Sequence, residues 1–482
     1  MPTPLDQLVD VIHNSSNGSW QRNNADALKA LFGADSGRYP AAAEKSVKLR
    51  APDMKGGDDP GVTYAAYIHP SNPDSGAYAG MSFAIFPVPD GPCLISMCVG
   101  TQGLSPDETI LGRPGHARRL QAICAWLNKQ FGAQAWAKQD PTRTDIDIPV
   151  NASEYKKVLD RYGNWLYATF RPTADRQATY RAVAALLDVM FAERGFQPLK
   201  KWEKEASGFR TEWMDSLMPS VTSDQVAALL QSRRYVILQG PPGTGKTRMA
   251  GELLRDHYAS HGRAVQFHPN TTYENFVGGL APELGESALG FRFAPKPGYL
   301  MEAAAATGDR PFLLHIDEIN RADLSKVLGE AIFLLEADDP NREITLPYTF
   351  GGSRTLKLPP NLHILGTMNT ADRSIAIVDV AVRRRFAFVS LWPSVAVVEK
   401  HGSTLTLCYY TKLLDLFIEH ANDDAMAFIP GHSYFLTNGC ADEGRSTLKT
   451  TLAPLLHEYL AQGYVAGFAE EVRAYISEIE AL

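Results

Sequence analysis

Residues Gly240 to Thr247 read GPPGTGKT, between the apolar run Tyr235–Gln239 and a helical pattern that starts at Lys246. No other stretch limits the fold of this chain as tightly. Its glycines let the backbone turn so that N–H groups face inward, and the N-terminus of the following helix adds its positive dipole end. Together Gly240, Pro241, Pro242, Gly243, Thr244, Gly245, Lys246 and Thr247 form a cradle for phosphates. In that cradle Lys246 supplies a point charge to the outer phosphates of a nucleoside triphosphate, and Thr247 an oxygen ligand for Mg²⁺. A plain Gly/Pro turn is the competing reading. The full match in a strand–loop–helix context outweighs it.

The surroundings of this loop, from about 222 to 392, alternate short apolar runs with helical patterns. The runs are Tyr235–Gln239, Ala264–His268, Phe312–Ile316, His363–Asn369 and Phe386–Leu391. Such alternation predicts an α/β unit, a parallel sheet with helices on both faces. The segment FLLHIDEINR, Phe312 to Arg321, ends its apolar run in two carboxylates, Asp317 and Glu318. Successive side chains splay apart at a strand end, so the two acids can take different tasks. Asp317 is placed to hold hydrated Mg²⁺, and Glu318 to orient and deprotonate an attacking water. His315 reads as a tolerated strand residue.

Residues 1–195 mix short strands (61–68, 81–88, 93–99) with helical patterns at 115–131 and 175–194, which predicts an α+β N-terminal domain. Residues 196–221 lack a clear period and read as a linker. Residues 393–482 turn helical, at 404–421, 447–462 and 466–482, and read as a lid subdomain. Hydrophobic residues make up 45% of the 482 and charged ones 21%, ordinary values for a soluble protein. The net charge of -7 argues against a whole-chain nucleic-acid coat. The five cysteines are odd in number and form no CxxC pair, so they read as reduced thiols and not as a disulfide frame or zinc site. Neither a leader pattern nor an apolar run of membrane-spanning length is present, which leads to the expectation of a cytoplasmic protein with no membrane partner.

Further motifs carry a family resemblance. They are VQFHPNTTYENFVGG (265–279), HIDEINRADLSKVLGE (315–330), LPPNLHILGTMNTADRS (358–374), VDVAVRRRF (378–386) and GHSYF (431–435). With GPPGTGKT they resemble the McrB family of AAA+ proteins, the motor subunits of McrBC-type modification-dependent restriction systems. The resemblance implies an AAA+ core of five parallel strands with an α-helical lid, assembled as a homo-oligomeric ring, a hexamer. It implies a sensor role for Asn369, holding the attacking water and the γ-phosphate. It implies that Arg384 and Arg385, with Arg383 beside them, supply an arginine finger to the neighbouring subunit's nucleotide. Asp372 and Arg373 match the signature segment beside the subunit interface. Tyr273 and Phe276 fall where ring-forming relatives put partner-facing loops, or else they pack inside. GHSYF belongs to the lid, and no second-sensor arginine is evident there. The substrate is ATP, as in most AAA+ proteins, or GTP, as McrB relatives prefer.

The resemblance also implies a separate McrC-like nuclease subunit, with recognition of modified DNA in the N-terminal slot. The basic segment 113–121 offers phosphate contacts there, or is simply a solvated helix face. Asp145, Asp147 and Glu154-x-Lys156 loosely echo a nuclease constellation, but VNASEYKKVLD reads better as a capped helix start. Two other readings stand beside the restriction motor. One is a MoxR-like remodelling ATPase acting on a protein client. The other is a binding module whose ring only reports a ligand. The MNTADRS and RRRF pair favours the motor.

Overall fold

In a computed structural model the described residues are 2–14, 20–33, 36–51, 62–88, 91–146, 148, 153–284, 291–336, 338–339, 341–372, 380–437 and 440–482. The chain divides into two compact units, Met1–Pro219 with Ile418–His420, and Ser220–Phe417 with Ala421–Leu482.

The first unit is built on a six-stranded sheet with antiparallel neighbours. Its strands are β1 (Lys48–Arg50), β2 (Ala65–Ile68), β3 (Met81–Val88), β4 (Gly91–Val99), β5 (Gln134–Ala137) and β6 (Leu166–Arg171), in the order β1-β2-β3-β4-β6-β5. Every residue of β2 and nearly every residue of β3 is buried, on both faces of the pleat. That explains why their sequences are continuously apolar instead of alternating. One face (Tyr67, Phe83, Ile85, Ile95, Met97) packs with apolar residues of helices Pro114–Phe131 and Arg176–Glu193. The other (Ala66, Ile68, Ala84, Phe86, Leu94) shares a cluster with Tyr155 and Val158.

The stretch 196–221, expected to be a linker, contains an eighteen-residue helix, Lys200–Leu217. Its buried side chains are Phe209 and Trp213, one turn apart, and Trp202 donates its ring N–H to the Gly37 carbonyl at 2.8 Å. Two deep positions in five turns are too few to draw an amphipathic stripe, so the period is invisible in the sequence.

In the second unit a five-stranded parallel sheet carries the alternation read from the sequence. Its strands are β7 (Tyr235–Gly240), β8 (Gly262–Gln266), β11 (Phe312–Asp317), β14 (Leu362–Asn369) and β15 (Ala387–Ser390), ordered β15-β7-β14-β11-β8. Two antiparallel hairpins interrupt the alternation, β9 (Gly278–Leu284) with β10 (Phe291–Pro297), and β12 (Glu343–Phe350) with β13 (Ser353–Lys357). Helix Ser223–Arg233 leads into β7 behind a capping box of Thr222 and Gln225. After β15 the described elements are helical, including Thr404–His420, Ala453–Ala461 and Ala469–Glu480. No described helix is long and apolar enough to cross a membrane.

The sheet register brings the chemistry together. Asn369 pairs with Gly240 across β14 and β7, and Ile316 pairs with Gly366 across β11 and β14. The carboxyl ends of β7 and β14 are therefore level and that of β11 lies two residues back, opposite Thr367, so all three open on the same edge, the usual site of ligand binding in open α/β sheets.

Trp213→Ala tests the helix that replaces the linker. Truncating a buried tryptophan costs about 3–5 kcal/mol, so the full chain should show a lowered first thermal transition by intrinsic fluorescence. An unchanged transition would mean that Lys200–Leu217 contributes nothing to the first core.

Candidate active site

The loop after β7 adopts the conformation its glycines permit. Gly243 and Gly245 have φ of 78° and 81°, left-handed values that a side chain would strain. Lys246 opens the helix Lys246–Glu252, and its side chain is turned into the loop. Its Nζ donates to the Gly240 carbonyl at 2.9 Å and the Pro241 carbonyl at 2.7 Å. Burial pushes the Lys246 ammonium down to about 8, opposed by Glu318, Asp317 and Asp372.

Asp317 and Glu318 separate as their positions on a strand end require. Asp317 Oδ1 accepts the Thr247 hydroxyl at 3.0 Å and also the Thr367 hydroxyl. This juxtaposes an alcohol and a carboxylate oxygen beside the phosphate loop, hard donors of the kind Mg²⁺ takes. Glu318 leaves the strand in a left-handed conformation, φ 52°, which swings its carboxylate toward β14. There Asn369 Nδ2 donates to Glu318 Oε1 at 2.8 Å. The Glu318 backbone N–H donates to Thr367 Oγ1 at 3.3 Å. Glu318 Oε2 is buried without a hydrogen bond among the described residues, 3.6 Å from Arg321 Nε. Burial raises the Glu318 carboxyl above its ordinary range, with Arg321 opposing. Arg321 also reaches Asp372, 3.8 Å away. Sequence reasoning missed Thr367 and Arg321. Thr367 was findable, since it stands two residues before Asn369 and so faces the same side of β14.

The lid segment Gly431–Phe435 lies directly on the loop. Gly431 N–H donates to the Pro242 carbonyl at 2.8 Å, and Ser433 N–H to the Gly243 carbonyl at 3.0 Å. A Cβ on Gly431 would overlap the Gly243 carbonyl, so only glycine allows this approach. His432 Nδ1 accepts the Ser394 N–H at 3.4 Å, leaving Nε2 about 3.5 Å from where a Cβ would stand on Gly245. Burial, then the charge of Arg248, pushes His432 down to about 4, so the ring is neutral near pH 7.

The arginine run divides. The side chain of Arg384 is 65% exposed, whereas that of Arg385 is 6% exposed and donates to the Ala381 carbonyl at 2.7 Å. Arg383 lies over the Phe388 ring, 5.4 Å from its centroid. Arg373 falls outside the described residues. Phe276 is fully buried against Phe267, a packing role, while Tyr273 donates its hydroxyl to Glu330 at 2.8 Å. His315 is buried, with its Nε2 at 3.8 Å from Asp317 Oδ1.

In the first unit, Glu154 pairs with Arg171 and Asp145 with Arg143, while Asp147 lies outside the described residues. The two described acids of the nuclease echo, Asp145 and Glu154, are thus engaged with separate partners. In the basic segment, Arg118 is buried and Arg119 pairs with Glu193 at 3.3 Å.

Gly431→Ala should break both lid-to-loop backbone bonds, each contributing about 0.5–1.5 kcal/mol. Amide exchange at Ser433 should then accelerate roughly 10- to 100-fold, with Ala469–Glu480 unchanged. Unaltered exchange at Ser433 would show that the contact does not hold the lid segment down.

Comparison with known proteins agrees with this geometry. A family model described as an AAA domain of the dynein-related subfamily matches residues 235–386. Over 351 residues the chain is 31% identical to the Type IV methyl-directed restriction enzyme EcoKMcrB subunit of Escherichia coli (strain K12), spanning 65% of this chain and 75% of that protein. Over 207 residues it is 30% identical to the Type II restriction enzyme BsuMI component YdiS of Bacillus subtilis (strain 168), spanning 35% of this chain and 60% of that one. A phosphate loop at the head of a five-stranded parallel sheet, two acids and an amide at the carboxyl ends of its central strands, and kinship over most of a restriction subunit lead to one assignment: the chain is a nucleoside triphosphate hydrolase that belongs to the McrB-like family of AAA+ proteins.

Proposed function

We propose that this chain is the motor of a restriction system, hydrolysing ATP or GTP as a homo-oligomeric ring and driving DNA cleavage by a separate McrC-like nuclease subunit. The observation that carries the hydrolytic part is the convergence of Thr247, Asp317, Glu318 and Asn369 beside Lys246. The nuclease part rests on kinship with two restriction-system components and on the pairing of Asp145 and Glu154 with arginines in the first unit. Recognition of modified DNA is assigned to the first unit on the same kinship.

In this reading Lys246 leaves its loop carbonyls for the β- and γ-phosphates. Thr247 and Asp317 would hold Mg²⁺, which when bound neutralises phosphate charge. Glu318 accepts the proton of the attacking water, a task suited to a carboxylate raised by burial. Asn369, already bonded to Glu318, fixes that acid and presents its amide to the water. The finger donated to the neighbouring subunit is Arg384. Arg385 is too buried, and too engaged with its own chain, to reach across.

Three outcomes follow. Glu318→Gln should bind nucleotide with Mg²⁺ yet turn over very slowly; loss of binding together with turnover would make Glu318 structural. Nucleotide binding should also depend on Lys246 protonation. Its pKa in the free protein is depressed to about 8, and a triphosphate favours the charged form. Binding therefore takes up a proton above that pH. Affinity should be flat below about pH 8 and fall by up to about tenfold per unit above it. A fluorescence titration that stays flat to about pH 9.5 would remove Lys246 from the phosphate site. Finally, Arg384→Ala should abolish most turnover, Arg385→Ala should leave more, and inactive Glu318→Gln mixed with inactive Arg384→Ala should regain activity. Near-normal turnover by Arg384→Ala alone would refute the trans assignment.

A further inference from the structure

One carboxylate, that of Glu336, is shared by three guanidinium groups. Glu336 follows the segment Gly329–Leu334 and belongs to none of the motifs read from the sequence. Its Oε1 lies 3.3 Å from Arg385 Nη2, 3.5 Å from Arg342 Nη1 and 3.7 Å from Arg384 Nη2. The three contacts are not equivalent. Arg342 is anchored elsewhere, pairing with Asp339 at 3.1 Å and lying over the Phe333 ring. Arg385 is walled in, with its other terminal nitrogen on the Ala381 carbonyl at 2.7 Å. Arg384 alone is largely exposed, and its contact is the longest of the three.

Physical chemistry gives this arrangement a direction. Adjacent like charges on Arg384 and Arg385 repel, and a shared carboxylate is what lets both sit at one helix end. A buried guanidinium that lost its carboxylate would be an uncompensated charge, which costs several kcal/mol. Glu336 is therefore needed to keep Arg385 in place. A solvated pair at 3.7 Å, by contrast, contributes little. Arg384 is steered toward one position without being trapped there. Exchange from a weak carboxylate contact to a stronger, bidentate phosphate contact is downhill.

We propose that Glu336 is a positioning residue for hydrolysis: it fixes Arg385 as a buttress and holds Arg384 on a loose contact, from which Arg384 moves to the phosphate oxygens of the nucleotide in the neighbouring subunit. This rests on the reading that Arg384 acts in trans. Glu336 itself touches no reacting atom. Its removal costs rate through misplacement of Arg384, and misplacement by an ångström is worth roughly 100-fold.

The experiment compares wild type, Glu336→Gln, Arg384→Ala, the double variant and Glu336→Asp. For each, kcat and KM are measured with ATP and GTP, along with nucleotide affinity and assembly by light scattering. Glu336→Gln should lower kcat roughly 10- to 100-fold with KM and affinity little changed. The double variant should be no slower than Arg384→Ala, because Glu336 acts only through that side chain. Glu336→Asp, which keeps the charge, should recover part of the rate, and it carries the test if Glu336→Gln fails to fold or assemble. A kcat at or above wild type for Glu336→Gln, with Arg384→Ala slow, overturns the inference and leaves the trans reading standing. Losses that multiply in the double variant also overturn it, since Glu336 would then act elsewhere. Normal turnover by Arg384→Ala overturns the trans reading itself.

Discussion

The second unit depends on the in-register parallel pairing of β7, β14 and β11. Because Asn369 stands opposite Gly240, and Ile316 opposite Gly366, β7 and β14 end together and β11 ends two residues earlier, opposite Thr367. The phosphate loop, the acid pair and the amide are then neighbours without any of them being held by a long loop. A slip of one residue between β11 and β14 would turn the slipped strand's side chains to the opposite face and separate Thr367 from Asp317. Rigid strands hold catalytic groups more accurately than loops do. The flanking hairpins and the lid decorate this alignment and do not create it.

The charge balance of the site follows from the same geometry. Lys246, Asp317, Glu318, Asp372 and Arg321 crowd into a partly buried space. Burial disfavours charge on both signs, lowering Lys246 and raising Glu318, while their mutual attraction limits both shifts. Lys246 meanwhile satisfies its ammonium on two loop carbonyls. The loop's own backbone thus supplies the hydrogen-bond acceptors that a buried ammonium needs.

Local features of this architecture were legible in the sequence, and those that depend on tertiary burial were not. The phosphate loop, β3 (Met81–Val88) and the apolar core of each parallel strand announce themselves over fewer than ten residues. The β9–β10 hairpin does not, because GGLAPEL and FRFAPKP carry glycine and proline, which weaken any strand reading. The Lys200–Leu217 helix hides because it buries only Phe209 and Trp213. At the site, residue types pointed to Asp317 and Glu318, and the family resemblance to Asn369. The left-handed turn at Glu318, the hydroxyl of Thr367 and the different exposures of Arg384 and Arg385 are set by packing. Two adjacent arginines are equivalent on paper, and only the fold buries one of them.

The lid's hold on the phosphate loop is written in backbone, not in side chains. Gly431 and Ser433 bond through their amides to the carbonyls of Pro242 and Gly243. Such a joint carries no charge and no titrating group. It is therefore indifferent to salt and pH, and most side-chain replacements at Ser433 leave its bonding groups intact. Its sensitivity lies in shape: any displacement of the loop's peptide planes is passed to the lid as a change in direction of two carbonyls. The lid can thus register the state of the loop mechanically, while the charges beneath it come and go.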